Sequence, residues 1–400
     1  MWYVIEGALR GERPRDIIRR GTIVGLVSFL TLIDLFGSQA LLPRLVEAYQ
    51  VEPAVMGFAV NASTFGMALS GLLIGWFADR LDRKRGIWVS LALLSVPTFC
   101  LGLTSSVEVF LALRVLQGVF MAAAFTLTMT YLSEQCDITA AGGAMAAYIT
   151  GNVASNLFGR LLSVSMADLF GLSGSFFAFA VLNLAGAVLA LSLIGPKDEV
   201  AAAPGGDPLV AWRRHLARPD LRAAFAIGFA ILFVFVGVFT YVNFQLTDVL
   251  GLSPAMLGLV YLVFAPALFT TPLAGGLVRR YGPRPVFQVA SGIAILGVGL
   301  TLVPSIPVTL AGLAVIGAGT FFAQAAATGY VSRAAQGQKA AANGLYLTSY
   351  YVGGLLGAFA LGQAFAVGGW ALVTAIVAAV LLIGALLAAR LVEPELSPAS

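Results

Sequence analysis

Runs of about twenty apolar residues, each long enough for one bilayer crossing, recur along almost the whole chain. Short polar or charged loops separate them. Bounded by charge or by Pro and Gly, the runs predict twelve helices, near 21–46, 54–78, 86–104, 107–133, 141–166, 172–194, 222–247, 254–278, 286–304, 308–332, 340–366 and 369–390. The pattern predicts an all-α integral membrane protein. One connection is long. It opens "GPKDEVAAAPGGDPLVAWRRHLARP", a polar linker rich in Pro and Gly. The expected organisation is an N-terminal segment 1–20, a six-helix half 21–194, the linker 195–221, a second half 222–390 and a tail 391–400.

Composition agrees with the pattern. Of 400 residues, 59% are hydrophobic and only 10% charged, with a mean hydropathy of +0.93; soluble domains carry about 25% charge. The net charge of +4 sits in short loops between apolar runs, which argues against a nucleic-acid partner. Cys100 falls inside a span and Cys136 in a loop, so no disulfide framework is expected. The opening "MWYVIEGALRGERPRDIIRRG" is polar and basic, and the apolar run behind it is too long for a cleavable signal peptide.

The basic residues orient the chain. Five precede span 1, four lie at 80–85, and Lys197, Arg213, Arg214, Arg218 and Arg222 lie in or beside the linker. Arg279, Arg280 and Arg284 follow span 8, Arg333 and Lys339 follow span 10, and Arg390 ends span 12. All fall on one side, which the positive-inside rule makes cytoplasmic, with both termini. Only Arg44, Arg114 and Arg160 remain of the 23 basic residues.

The two halves resemble each other. "EPAVMG" (52–57) recurs as "SPAMLG" (253–258), "GWFADRLDRK" (75–84) matches "GGLVRRYGPR" (275–284), and "LRVLQG" (113–118) aligns with "LAVIGA" (313–318). Duplicated halves of like orientation are a transporter design, with a binding cavity at their interface.

At this point the chain resembles the major facilitator superfamily of secondary transporters. That family's loop pattern is Gly-x-x-x-Asp-Arg-x-Gly-Arg-Lys. Gly75, Asp79, Arg80, Arg83 and Lys84 match it, while Asp82 replaces the second Gly. "RVLQG" in span 4 and "DLFGSQALLP" in span 1 are similar to patterns of the drug:proton antiporter (efflux permease) branch. Span 5 departs from that branch, reading "GNVASNLFGR" where the branch has a Gly-Pro pair. The resemblance implies two pseudo-symmetric six-helix halves and alternating access. It also implies a cytoplasmic gate in which Asp79 meets the start of span 11.

Asp34 is the only carboxylate well inside any predicted span of this chain. Intramembrane ionisable groups are costly and are functional candidates by default. Burial favours the neutral acid and a nearby cation the charged one, so such a group can be tuned to exchange a proton. Counted at about 1.5 Å per residue, Asp34, Arg114 and Arg160 share a level in the outer half of the membrane. The expectation is that Asp34 takes up the proton, reaching water from one face or the other, and that Arg114 sets its affinity. The alternative is a static ion pair joining spans 1 and 4. Arg160 either snorkels to the outer surface or faces the cavity and favours an anionic substrate.

Uncharged groups complete the candidate substrate site: Gln117, Asn152 and Asn156 in the first half, and Asn243, Gln245, Gln324, Asn343, Tyr346 and Tyr350 in the second. Tyr346 and Tyr350, four apart, share one helix face. Aromatic bodies with polar tips suit an amphipathic organic compound. Catalysis is not expected, nor any metal or cofactor. His215 is the sole histidine and lies in the linker, and no phosphate-binding loop motif occurs. The expected function is proton-coupled efflux of a small amphipathic compound by a monomer in a bacterial inner membrane. The alternatives are a proton symporter or exchanger for a small organic anion, and an uncoupled lipid flippase.

Overall fold

A lipid-facing backbone finds no partners in hydrocarbon, so the spans are helices that satisfy their own N–H and C=O groups. The computed structural model describes residues 14–51, 53–77, 81–135, 138–193, 207–252, 257–335 and 338–392, and they are helical nearly throughout. Spans 1 to 4 are Pro14–Ala40, Pro53–Phe77, Arg83–Leu101 and Val107–Gln135. Span 7 is Pro219–Phe244, span 9 Pro283–Leu300 and span 10 Ile306–Ala334. The predicted span 1 ran to 46. Instead it stops at Ala40, and a separate short helix, Leu42–Tyr49, begins with Pro43 in its first turn, where a missing N–H costs nothing.

Spans 5 and 6 form one continuous helical assignment, Ile138–Leu193, and spans 11 and 12 another, Lys339–Ala388. A straight helix of 56 residues would be about 84 Å long, far more than a bilayer. Each is broken by a glycine in the left-handed region, Gly171 (φ 74°) and Gly369 (φ 61°), where the chain turns back. Ser175 Oγ donates to Ser163 O at 3.3 Å across the first turn. Among the described residues, ten long apolar helices, two of them doubled, therefore make twelve crossings.

Span 8 is the irregular one. It runs as Leu257–Val260, a 3₁₀ turn Tyr261–Phe264, Ala265–Thr270, a second 3₁₀ turn Thr271–Leu273, and Ala274–Tyr281. Pro266 and Pro272 each remove an intrahelical donor there.

Packing follows the internal repeat. Span 1 lies on span 5 and span 2 on span 4; span 7 lies on span 11 and span 8 on span 10. Across the halves, span 2 meets span 11, and span 5 meets spans 8 and 10. The outside is apolar, with Phe269 77% and Val367 84% exposed, while Asp34, Arg114, Gln117 and Asn156 are wholly enclosed. That inversion of a soluble protein's plan is what hydrocarbon solvent requires.

The linker contains a helix, Pro208–Ala217, N-capped by Asp207, whose side chain accepts from Leu209 N at 2.9 Å. Trp212 packs edge-on against Trp76 at the end of span 2, ring centroids 5.4 Å apart. On this linker side the halves are bonded together: Thr348 Oγ1 donates to Ala68 O at 3.2 Å and Asn343 Nδ2 to Thr130 Oγ1 at 3.4 Å.

Candidate functional site

The five residues "RVLQG" in span 4 build the centre of the first half. Arg114 and Gln117, three apart, share a helix face. Gly118 permits the rest: a Cβ there would stand 1.9 Å from Ser63 O, so spans 2 and 4 touch backbone to backbone. That approach brings Arg114 its partners. Nε donates to Val60 O at 2.9 Å, Nη2 to Ser63 Oγ at 3.0 Å, and Nη1 to Ser38 Oγ at 3.2 Å and Gln117 Oε1 at 2.7 Å.

Asp34 Oδ2 accepts from Thr98 Oγ1 at 3.0 Å, Gln117 Nε2 at 3.1 Å and Asn183 Nδ2 at 3.2 Å. Its Oδ1 is buried without a partner. Asp34 and Arg114 are both 0% exposed, yet they form no direct ion pair. Gln117 stands between them, accepting from the cation through its carbonyl and donating to the acid through its amide. Spans 1 and 4 are thus joined without a direct ion pair, through Gln117 and through Ser38, whose Oγ accepts from Arg114 and donates to Asp34 O at 2.7 Å. Nor does Asp34 reach water in this state. It is enclosed by spans 3, 4 and 6, and a proton placed on Oδ1 would leave all three bonds to Oδ2 intact.

Span 5 carries the second cluster. Gly151 and Gly159 seat it on span 1, where added Cβ atoms would stand 2.0 Å from Gly25 O and 2.6 Å from Ile33 O. The helix continues to residue 170, beyond the predicted end at 166, so Arg160 lies about 16 Å from the turn at Gly171. It does not snorkel. Arg160 is 5% exposed; Nε donates to Asn156 Oδ1 at 3.0 Å and Nη2 to Gln39 Oε1 at 2.8 Å. Its guanidinium lies 3.9 Å from the ring centroid of Tyr261 in span 8 and 5.8 Å from that of Phe36. Asn243 Nδ2 donates to the Tyr261 hydroxyl at 3.3 Å. No described carboxylate pairs with Arg160. Arg44, by contrast, pairs with Asp168 at an exposed site.

The remaining candidates divide. Asn152 Nδ2 reaches Gln324 Oε1 at 3.5 Å, joining spans 5 and 10. Tyr346 and Tyr350 stack at 6.1 Å, Tyr350 meets Tyr351 at 5.4 Å, and all three are buried beside Asn343 toward the linker side. Gln245 opens a π-helical turn, Gln245–Val249, and joins none of these contacts. In the loop, Asp79 and Arg80 lie outside the described residues, and Gly75 is within span 2. Arg83 is buried and donates to Leu81 O at 3.1 Å, while Lys84 is half-buried. Asp82 has a clear role: it N-caps span 3, accepting from Arg85 N at 2.6 Å. In the second half the matching residue is Gly282, at φ 79°.

Sequence reading missed Thr98, Asn183, Ser38, Gln39 and Tyr261. Asn183 had a signal, being an amide in the middle of an apolar run. Another was the spacing of Asn152, Asn156 and Arg160, four apart each time, which aligns them on one face. Tyr261 had none, because only the break in span 8 aims its ring at span 5.

The sequence model of the Major Facilitator Superfamily matches residues 24–357 and 243–400. The chain belongs to the major facilitator superfamily. It is a multi-pass membrane transporter. It is 29% identical over 395 residues to the Escherichia coli inner membrane transport protein YnfM, covering 95% of this chain and 94% of that protein. It is 24% identical to a Streptomyces lividans chloramphenicol resistance protein over 258 residues, 64% of this chain and 66% of the relative. The fold is similar to that of the human organic anion transporter MFSD10 (TETRAN), with a TM-score of 0.80 and 17% identity, over 92% of this chain and 99% of the other.

Proposed function

We propose that this superfamily member is a proton-coupled exporter of a small amphipathic organic compound, working by alternating access as a monomer in a bacterial inner membrane with both termini cytoplasmic. The observation that carries the reading is the three-bonded, half-satisfied carboxyl of Asp34, linked to Arg114 through Gln117. A buried acid with one oxygen fully engaged and the other unpartnered is suited to hold a proton. Its charged form leans on a cation one amide away. In the cycle, a conformation that parts spans 1, 3 and 4 exposes Asp34 to one compartment at a time. Substrate occupies the interface between the halves, which is lined by Asn152, Gln324, Asn243 and the tyrosines of span 11. A chloramphenicol resistance protein among the relatives fits an efflux role.

The experiment uses the full chain reconstituted in vesicles, with a compound chosen by thermal shift from a library of small organic molecules. After a jump in external pH, antiport predicts proton flux opposite to that of the compound. Parallel flux would establish symport instead, and the absence of proton flux would overturn coupling altogether.

A further inference from the structure

Arg160 is charged, deep in the membrane, almost wholly enclosed and, among the described residues, without an acid. Such a cation is expensive unless an anion or several dipoles answer it. Here two amide oxygens and two aromatic faces do so. Beside it, the amide nitrogen of Asn156 is buried without a partner, while the same side chain's oxygen is held by Arg160 Nε. Two neighbouring donor groups thus lie together, one charged and one unused. A carboxylate, which accepts through two oxygens, matches that pair of donors.

The aromatic side supplies the rest. Phe36 from span 1 and Tyr261 from span 8 face the guanidinium. Tyr261 belongs to the opposite half, so its ring against Arg160 is a contact between the halves on the side away from the linker. A cation–aromatic contact is weaker than a charge-assisted pair with a carboxylate, so an anion is able to displace the ring.

We propose that Arg160 and Asn156 form the carboxylate-binding subsite of the transport cavity, taking a singly charged aryl or alkyl carboxylate. Tyr261 occupies the face of Arg160 when the subsite is empty. The inference rests on the reading of the chain as a carrier of small organic compounds, but not on proton coupling at Asp34. It names the substrate class: amphipathic organic anions. Binding frees the Tyr261 ring and loosens the contact between the halves on that side.

The test is equilibrium binding to the full chain in detergent or nanodiscs, read by thermal shift and by isothermal titration. Three probes share one ring system: 2-naphthoate, 2-naphthamide and 2-naphthylmethylammonium. The expected result is binding of the carboxylate at least tenfold tighter than of the amide or the amine. Arg160→Gln should abolish that preference. Asn156→Asp, which places an acid beside Arg160 from within the chain, should abolish it too while keeping the fold. Asp34→Asn should leave it intact, which separates this subsite from the proton site. Equal binding of the three probes, no binding of the carboxylate, or a preference that survives both Arg160→Gln and Asn156→Asp would each overturn the proposal.

Discussion

Arg114 and Asp34, both fully buried, form no ion pair; the guanidinium reaches the carboxylate through Gln117, whose carbonyl accepts from the arginine at 2.7 Å while its amide donates to the acid at 3.1 Å. Hydrogen bonds to charged groups contribute about 1.5–3 kcal/mol each. Gln117→Leu, of similar volume, removes one such bond from each ion. The expected outcome is a lowered melting temperature and a weakened response of transport to a proton gradient. In an Asp34→Asn background the same substitution should cost clearly less, because one of the two charges is gone. A double-mutant cycle by thermal unfolding measures the difference.

Gly118 has a packing role that its place in the RVLQG pattern does not reveal. A Cβ at this position would fall 1.9 Å from Ser63 O, a backbone atom that cannot step aside. Gly118→Ala should force spans 2 and 4 apart and pull Val60 O and Ser63 Oγ away from Arg114. Overpacking of this kind costs about 1–3 kcal/mol, and strained buried hydrogen bonds add to it. Gly57→Ala, where nothing lies within 4 Å, is the matched control and should be near neutral. Both are read from melting temperatures in detergent.

The linker side is held by a cluster around Asp220. Arg218 donates to Asp220 through Nε and Nη2 and to Ala334 O through Nη1 at 2.7 Å. The Tyr330 hydroxyl lies 3.0 Å from Asp220 Oδ2 and accepts from Val392 N at 3.2 Å. Arg284 Nε donates to Leu391 O at 2.6 Å. Tyr330→Phe should free the backbone of Val392, while Arg284 still holds Leu391 and Arg218 still holds Asp220. Faster hydrogen exchange at Val392, with a loss of about 1 kcal/mol of stability, is the expected reading.

His215 gives the linker helix a pH dependence. Burial holds its imidazole below the ordinary value, with the Arg218 and Arg214 charges acting in the same direction and the Gln338 backbone opposing. The folded state therefore prefers neutral histidine. Its contribution to stability is present above the unfolded value of about 6.5 and is lost as pH falls below it, because the unfolded chain then binds the extra proton. Replacing His215 by Gln should flatten that part of the melting-temperature profile on the acid side. An unchanged profile would assign the slope to carboxylates instead.

Much of this molecule was legible in its sequence, since hydrocarbon solvent imposes length and polarity on every span. The crossings and the place of Asp34 and Arg114 inside the spans follow from patterns of one residue type against an apolar background; the capping role of Asp82 and the sealing of Asp34 from water do not. The turns within 138–193 and 339–388 were legible as well, because a helix of that length cannot stay in a membrane. Contacts set by backbone irregularity were not. Tyr261 faces Arg160 because Pro266 and Pro272 fragment span 8, and no spacing rule carries that geometry. The linkage through Gln117 was hidden for another reason. Charges announce themselves in an apolar run, whereas the neutral side chains that satisfy them, such as Thr98 and Asn183, resemble ordinary polar residues until helix packing selects among them.

The most direct measurement is infrared difference spectroscopy of the full chain in lipid, recorded while the pH is stepped between alkaline and acidic buffer. Proton exchange at Asp34 predicts a carboxylic acid C=O band, typical of a dry environment, that grows on acidification and vanishes in Asp34→Asn. A wild-type spectrum identical to that of Asp34→Asn at every pH would contradict it, leaving Asp34 a fixed structural group and the proton without a carrier.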